Sequence, residues 1–323
     1  MVSVKRILFI RPEKWYVEAH IEYLIRYFGH KYIMDIDFIE NKNPDDYDLL
    51  IPLLPTHPMV DQVKYKHKLA VILWEPGEGI WRETVMTAAT TPMAAKSMEM
   101  NNHPFIEVSP GIDTNLFQPL KQVKRDDLFH VGLIGCHHNP RHNIKNVVLP
   151  LMDIPGVKFD FYARGFYKDR LNDMEVAGGK LFLDNVITAD VYWTGLPNIY
   201  NRMDVLLKVD ADPGLTFPVL EATACGVPVI ATDVGIEYKF KDSGVIIEPE
   251  SRDVYGNGRG WFIDNEAKVI QKVREAIILL RDNTDKRIEL GNNGRQKILK
   301  EWTWESMLPK WEIFFSESLR RAS

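Results

Sequence analysis

The stretch that most constrains this chain covers residues 209–238, VDADPGLTFPVLEATACGVPVIATDVGIEY. Leu206, Leu207 and Val209 close a short apolar run, and residues 210–214 carry the polar and glycine chemistry of a turn. Thr216 is placed to cap a helix that starts near Phe217. Pro218 falls inside the first turn of that helix, where a missing N–H costs nothing. Gly226 stops the helix, and the apolar run 227–231 reads as a strand buried on both faces. A strand–loop–helix of this kind turns backbone N–H groups and the positive end of a helix dipole outward, as an anion site requires. Glu221 falls one turn into the helix, roughly 6 Å along its axis from Phe217. A carboxylate there accepts two hydrogen bonds from a ribose diol, while N–H groups of the loop hold phosphate or sugar oxygens.

On these residues the stretch resembles the donor-binding signature of family 4 glycosyltransferases, whose pattern is similar to E-G-F-G-L-P-x-L-E-A-M-A-C-G-x-P-V-I-A-T-D-V-G. Gly214, Pro218, Leu220, Glu221, Ala222, Ala224, Cys225, Gly226, Pro228, Val229, Ile230, Thr232, Asp233, Val234 and Gly235 fall in register, with Phe217 standing for Leu. The family's first Glu, eight residues before the second, falls on Pro213, with Asp212 beside it. That Glu is expected to touch the transferred sugar, so the resemblance speaks more directly for donor binding than for transfer. It implies an α/β chain of the GT-B fold, two Rossmann-like domains facing each other across a cleft. It also implies an enzyme of the hexosyltransferase type that takes a nucleotide-diphosphate sugar, retains the anomeric configuration and needs neither cofactor nor metal.

Composition sets wide bounds. With 323 residues the chain is long enough for two domains with separate cores. A net charge of -5 gives no electrostatic argument for nucleic acid. Two cysteines, Cys136 and Cys225, make no disulfide framework, and a reducing cytoplasm fits them best. The apolar run 7–10 is too short for a secretory leader, and no segment reaches the apolar length of a membrane span.

In chain order, residues 4–10 read as a buried strand. Val17, His20, Ile21, Leu24, Ile25 and Phe28 then recur at helical spacing up to Gly29. Runs 33–39, 49–54, 69–74 and 105–108 are further strands, and strands alternating with helices argue for parallel sheets. Glu18 and His20 resemble the family's E-x-H, although the usual glycine pair before it is replaced by residues 13–16, EKWY. Ser109-Pro110-Gly111-Ile112-Asp113 followed by Phe117-Gln118-Pro119 is similar to the signature that closes the first domain. The charged linker 121–127 places the boundary near Lys124, giving an acceptor-side domain 1–124 and a nucleotide-sugar domain 125–301. A last helix over 302–323 is expected to cross back to the first domain.

The second domain restarts with strand 129–134. Gly135 opens a loop that leads to a helix of Val147, Val148, Leu151 and Met152. Lys145-Asn146 resembles the family's residues at the head of this helix, and Arg141 stands for its Arg. Arg141 offers a planar fork and Lys145 a mobile charge, which together neutralise a diphosphate. Residues 159–162 with Gly165, and 191–195 with Gly195, are expected as the next strand ends, near the base. A short helix over 196–202 then leads to strand 204–209. By resemblance the donor site takes in Gly135, Arg141, Lys145, Gly165, Gly195, Gly214, Leu215, Thr216 and Glu221.

Several other residues carry a chemical reading of their own. Asp210 and Asp212 have the D-x-D spacing by which the other glycosyltransferase fold, GT-A, holds a divalent metal. The residues after this pair fit GT-B, in which Arg and Lys take the metal's place, so no metal is expected and Asp212 partly covers for the missing Glu. His137, His138 and His142 have no Cys or carboxylate pair at ligand spacing and read as loop histidines. His57 follows the third strand and Glu75 ends the fourth, where a parallel sheet opens its cleft; either is a candidate to meet the acceptor hydroxyl, the alternative being ordinary loop residues. Lys64, Lys66 and Lys68 alternate with Tyr65 and His67 as a solvated edge-strand guard. The alternative is a patch for an anionic acceptor or lipid headgroup, that is, a peripheral membrane contact. The acceptor itself (a sugar, lipid-linked sugar, small molecule or protein), the base and the oligomeric state are not written in these residues. Two alternatives to the transferase share the fold: a non-catalytic subunit that binds donor or partner, and a nucleotide-sugar epimerase.

Overall fold

Short apolar runs without alternation become parallel strands covered on both faces, as β-branched and aliphatic side chains on a pleated surface require. The computed structural model describes residues 4–11, 18–53, 62–74, 80–120, 126–134, 143–164, 186–187, 192–210, 216–248 and 266–323. The chain divides into two compact units, Met1–Gly111 with Trp304–Ser323, and Ile112–Thr303. Lys124, where the linker places the boundary, lies outside the described residues. Among the described residues the α-helices of eight residues or more are α1 (Glu18–Phe28), α2 (Pro92–Met100), α3 (Tyr192–Tyr200), α4 (Phe217–Ala224), α5 (Glu266–Asp282), α6 (Thr284–Glu301) and α7 (Trp304–Ala322).

The first unit holds β1 (Arg6–Ile10), β2 (Ile33–Asp37), β3 (Leu49–Pro52), β4 (Ala70–Leu73), β5 (Met86–Ala89) and β6 (Phe105–Glu107). They form two parallel sheets, ordered β2-β1-β3 and β4-β5-β6, joined by a parallel bridge between Leu50 and Leu69. Helix α7 belongs to this unit, although it comes last in the chain. Its Trp311, Phe314 and Phe315 recur at helical spacing and are fully buried. Phe315 meets Phe28 edge-on at 5.3 Å and Phe9 at 6.2 Å between ring centroids. Trp304 stacks on Tyr23 of α1 at 5.1 Å. Gly111 is required here, because a Cβ at that position would lie 2.4 Å from the Trp304 Cα.

The second unit is built on one parallel six-stranded sheet, ordered β12-β11-β10-β7-β8-β9. Its strands are β7 (Phe129–Ile134), β8 (Val157–Arg164), β9 (Val186–Ile187), β10 (Val205–Lys208), β11 (Val229–Thr232) and β12 (Gly244–Ile247). Val269, Val273, Ile277 and Leu280 of α5 pack into a core with Val131, Leu133, Val147, Leu151, Leu207 and Ile230. The chain enters and leaves this unit side by side: Ile112 bridges Thr303, and its N–H donates to the Trp302 carbonyl at 2.8 Å.

Three local expectations are corrected, and two elements are new. Residues 192–195 open helix α3 and do not end a strand. Leu196 and Tyr200 lie four apart and buried, and that tertiary face outweighs the strand propensity of Val191, Tyr192 and Trp193. The regular helix expected around Val147 is instead a π-helical turn, Ile144–Val148, followed by a 3-10 turn, Leu149–Leu151. Asn143 in the left-handed region, with φ of 50°, and Pro150 keep it from regularising. Lys64–Lys68 is no edge strand: Gln62–Tyr65 is helical and Lys66–Lys68 a 3-10 turn. Lys68 is buried and donates to the carbonyls of Pro44 and Tyr47, both at 2.8 Å. Strand β5 and helix α2 had no expectation at all, although Thr91-Pro92 is a helix-start signal: the Thr91 hydroxyl accepts the Ala94 N–H at 3.1 Å.

At the start of β7, His130 is buried between two carboxylates. Its Nδ1 lies 2.6 Å from Asp160 and its Nε2 2.8 Å from Asp126, and its backbone N–H donates to Asp204 at 2.9 Å. Lys158 stands 3.8 Å from Asp160. Burial pulls the His130 pKa down, but the hydrogen bonds to Asp160 and Asp126 outweigh it and hold the imidazolium above its ordinary range. A folded pKa above the unfolded value gives stability that is fully present below about pH 6.5 and lost as pH rises through the folded pKa. His130→Gln should therefore cost about 1–3 kcal/mol at pH 6 and progressively less toward pH 9, read from urea unfolding midpoints. A cost constant across that range would contradict a charged His130.

Candidate functional site

At the C-terminal edge of the second unit's sheet, β10 ends at Lys208 and α4 begins at Phe217. Thr216 precedes the helix as its sequence position demands, but its hydroxyl does not cap α4. It donates instead to Oε1 of Glu237 at 2.9 Å. Glu237 is fully buried, and its other oxygen accepts the Gly235 N–H at 2.8 Å. A buried carboxylate is the stronger acceptor, so it takes the hydroxyl that a helix N-terminus would otherwise use. Burial raises the Glu237 pKa, against the Lys208 ammonium 3.8 Å away and the Thr216 hydrogen bond. Lys208 also pairs with Asp210, and the Asp210 carbonyl accepts the Thr232 hydroxyl at 2.5 Å. These groups tie the ends of β10 and β11 to the head of α4.

Glu221, in the second turn of α4, is 1% exposed. Its Oε2 accepts the Tyr200 hydroxyl at 2.6 Å, within the short range of a charge-assisted bond. Glu221 is therefore held by protein and not by solvent. The far end of α4 closes as the sequence predicts. Gly226 has φ of 73°, its N–H reaches the Thr223 carbonyl at 3.0 Å, and the Val227 N–H reaches that of Ala222 at 2.9 Å. Helix α6 lies against this end. A Cβ on Gly291 would sit 2.1 Å from the Gly226 carbonyl oxygen, and one on Gly294 would sit 2.6 Å from Thr223. Arg295 donates to the carbonyls of Ala224 at 2.8 Å, Phe117 at 2.7 Å and Thr114 at 3.0 Å. A cation on the last carbonyl of α4 also suits the helix dipole.

Thr216, just before α4, and Glu221, within it, are thus held by the same helix. Lys145 is exposed, on the turn capped by Asn143, whose amide donates to the Val209 carbonyl at 2.9 Å. Gly195 is half-buried within α3, the helix that supplies Tyr200. His57, Glu75, Gly135, Arg141, Gly165, Asp212, Gly214 and Leu215 lie outside the described residues, as do Pro213 and the three loop histidines. His20 is buried, and burial lowers its pKa to about 3, so it is neutral at physiological pH. Burial pushes the Cys225 thiol up to about 12, which makes it a packing residue and not a nucleophile. Among the described residues no group of three His, Cys, Asp or Glu is placed to hold a metal, and no helix is long and apolar enough to cross a membrane.

Tyr200, Lys208, Glu237 and Arg295 were not singled out from the sequence. For Arg295 a signal existed, since Gly291 and Gly294 three apart in a helix mark a close approach. Glu237 and Tyr200 carry no local signal, because their partners are distant in the chain.

Residues 141–312, more than half of the chain, match the family described as Glycosyl transferase-like, and the chain belongs to that family. Its fold is GT-B, of the group 1, family 4 type. Sulfoquinovosyl transferase SQD2 of Arabidopsis thaliana is 25% identical over 268 residues, covering 78% of this chain and 46% of that protein. The GDP-mannose-dependent alpha-(1-6)-phosphatidylinositol monomannoside mannosyltransferase of Mycobacterium tuberculosis is 27% identical over 224 residues, covering 62% and 53%. The chain spans about half the length of these curated relatives. Among solved structures, HepE of Anabaena in complex with UDP and glucose superposes with a TM-score of 0.68 at 12% identity, over 97% of this chain and 100% of that one.

The packing of α6 on α4 gives a direct test. Gly291→Ala should destabilise the protein by about 1–3 kcal/mol through overpacking. Arg295→Ala, which strips partners from three carbonyls, should cost about 3 kcal/mol. Both are read from denaturant midpoints, and losses under about 0.5 kcal/mol would show that α4 does not depend on α6.

Proposed function

We propose that this chain moves a sugar from a nucleotide-diphosphate sugar to an acceptor hydroxyl, with retention at the anomeric carbon and without a bound metal. The observation that carries the reading is Glu221: a buried carboxylate, fixed by a tyrosine hydroxyl, one turn into a helix that starts at the C-terminal edge of a parallel sheet. Ligands of open α/β sheets bind at that edge, and a carboxylate there suits a ribose diol. The family match over 141–312 covers this segment, and the similar HepE is described in complex with UDP and glucose. Asp210, the described half of the D-x-D pair, already has Lys208 as its counter-ion, which weighs against a divalent metal on that side chain.

Arg141, Lys145 and the N–H groups around Gly214 to Thr216 would stabilise charge on the departing diphosphate. Asp212 would stand by the transferred sugar, and His57 or Glu75 would meet the acceptor. The two cysteines fit a cytoplasmic site of action. A second reading, donor binding without transfer, is favoured by Pro213 in the place of the family's first Glu.

Thermal unfolding with a panel of UDP-, GDP-, ADP- and TDP-sugars, in EDTA and in manganese, tests the proposal. A ligand at about 100 times its dissociation constant adds roughly 2.7 kcal/mol of stability. One nucleotide class should stabilise the wild type in EDTA, and Glu221→Gln should lose most of that shift. Stabilisation in manganese alone would return the metal to Asp210 and Asp212. Binding without nucleotide release for any acceptor would select the second reading, and product without acceptor would indicate an epimerase. No shift with any nucleotide would refute donor binding.

A further inference from the structure

A carboxylate near a nucleotide selects ribose only if its oxygens are held where the two hydroxyls arrive. Glutamate has three side-chain torsions, and ordering them at the moment of binding weakens the complex. We propose that Tyr200 is a positioning residue of the donor site: its hydroxyl, bonded to Oε2, holds the Glu221 carboxylate in the orientation that receives the ribose 2′- and 3′-hydroxyls. The inference rests on the donor-site reading of Glu221 and deepens it.

Tyr200 is itself immobilised. It is fully buried at the end of α3, and its ring meets Phe117 edge-on with centroids 6.2 Å apart. The next residue, Asn201, accepts the Leu120 N–H at 2.7 Å and donates to the carbonyls of Gln118 at 3.0 Å and Pro197 at 2.8 Å. The same segment is gripped from the other side by Arg295, which joins Thr114 and Phe117 to the last carbonyl of α4. Residues 114–120 therefore act as a strap holding the ends of α3 and α4 together, and the Tyr200–Glu221 bond closes the loop between the two helices. A carboxylate offers about four acceptor sites, so one bond from Tyr200 can set its orientation without using up its acceptor capacity. A bond that only joined α3 to α4 would affect stability and every ligand alike. A bond that positions Glu221 affects ligands that carry the ribose hydroxyls and spares those that lack them.

The test measures dissociation constants by calorimetry for UDP, GDP and ADP, then for the 2′-deoxy and 3′-deoxy forms of the tightest. Tyr200→Phe removes one oxygen and keeps the ring contact with Phe117. It should weaken the ribonucleotide about tenfold and the deoxynucleotides less than twofold. Asn201→Ala, which slackens the strap without touching either partner, should lower the ribose preference in the same direction and serves if Tyr200→Phe does not fold. Equal loss on ribo- and deoxynucleotides, or no loss on either, overturns the proposal. Glu221→Gln separates the role of Tyr200 from that of the site. If it erases the ribose preference while Tyr200→Phe leaves it intact, only the role of Tyr200 falls. If Glu221→Gln leaves the preference unchanged, or the wild type binds none of the three nucleotides, the donor-site reading falls and takes this proposal with it.

Discussion

An eight-residue helix is too short to hold itself together in water, and α4 must borrow its order from its surroundings. Its own sequence asks for this, since seven of its eight residues are buried. Three separate contacts supply the walls. Helix α6 presses two glycines against its C-terminal end, Arg295 binds its last carbonyl, and Glu237 holds the residue before its first turn. Glu221 then sits on a support that is fixed at both ends, which a catalytic or binding carboxylate needs if its geometry is to be set before the ligand arrives.

The charges around this helix are arranged by the same logic. Asp210 and Glu237 are buried, and the half-buried Lys208 pairs with both, which offsets part of their desolvation and of their mutual repulsion. The cluster therefore acts as a rigid strut between β10, β11 and α4, while the helix above it keeps its polar side chain at Glu221. Membership of the glycosyl transferase-like family gives the arrangement its chemical setting.

Much of this was legible in the residues. The run 227–231 has only one way to be buried, and it became β11, flanked on both sides. Gly226 announced the helix end, because the left-handed backbone there has few other occupants. Glu221 is singled out by its register in a long pattern, and the structure places it buried in α4. What stayed hidden depended on partners far away in the chain: Tyr200 for Glu221, Glu237 for Thr216, and Arg295 for three carbonyls. Propensity also misled locally, as at Tyr192, Trp193 and Thr194, where strand-forming side chains were recruited into a helix by the packing of Leu196 and Tyr200.

The order of elements along the chain has a consequence for how the molecule is made. The second unit is continuous, residues 112–303, whereas the first unit needs α7 from the far end. On a ribosome adding roughly 5–20 residues per second, β1 and α1 wait about 15–60 s before Phe315 and Trp304 emerge to cover Phe9, Phe28 and Tyr23. During that interval the continuous unit can complete itself, while the other exposes aromatic surface. Synthesis thus favours finishing the continuous unit first, and it leaves the other with aromatic surface for chaperones to cover.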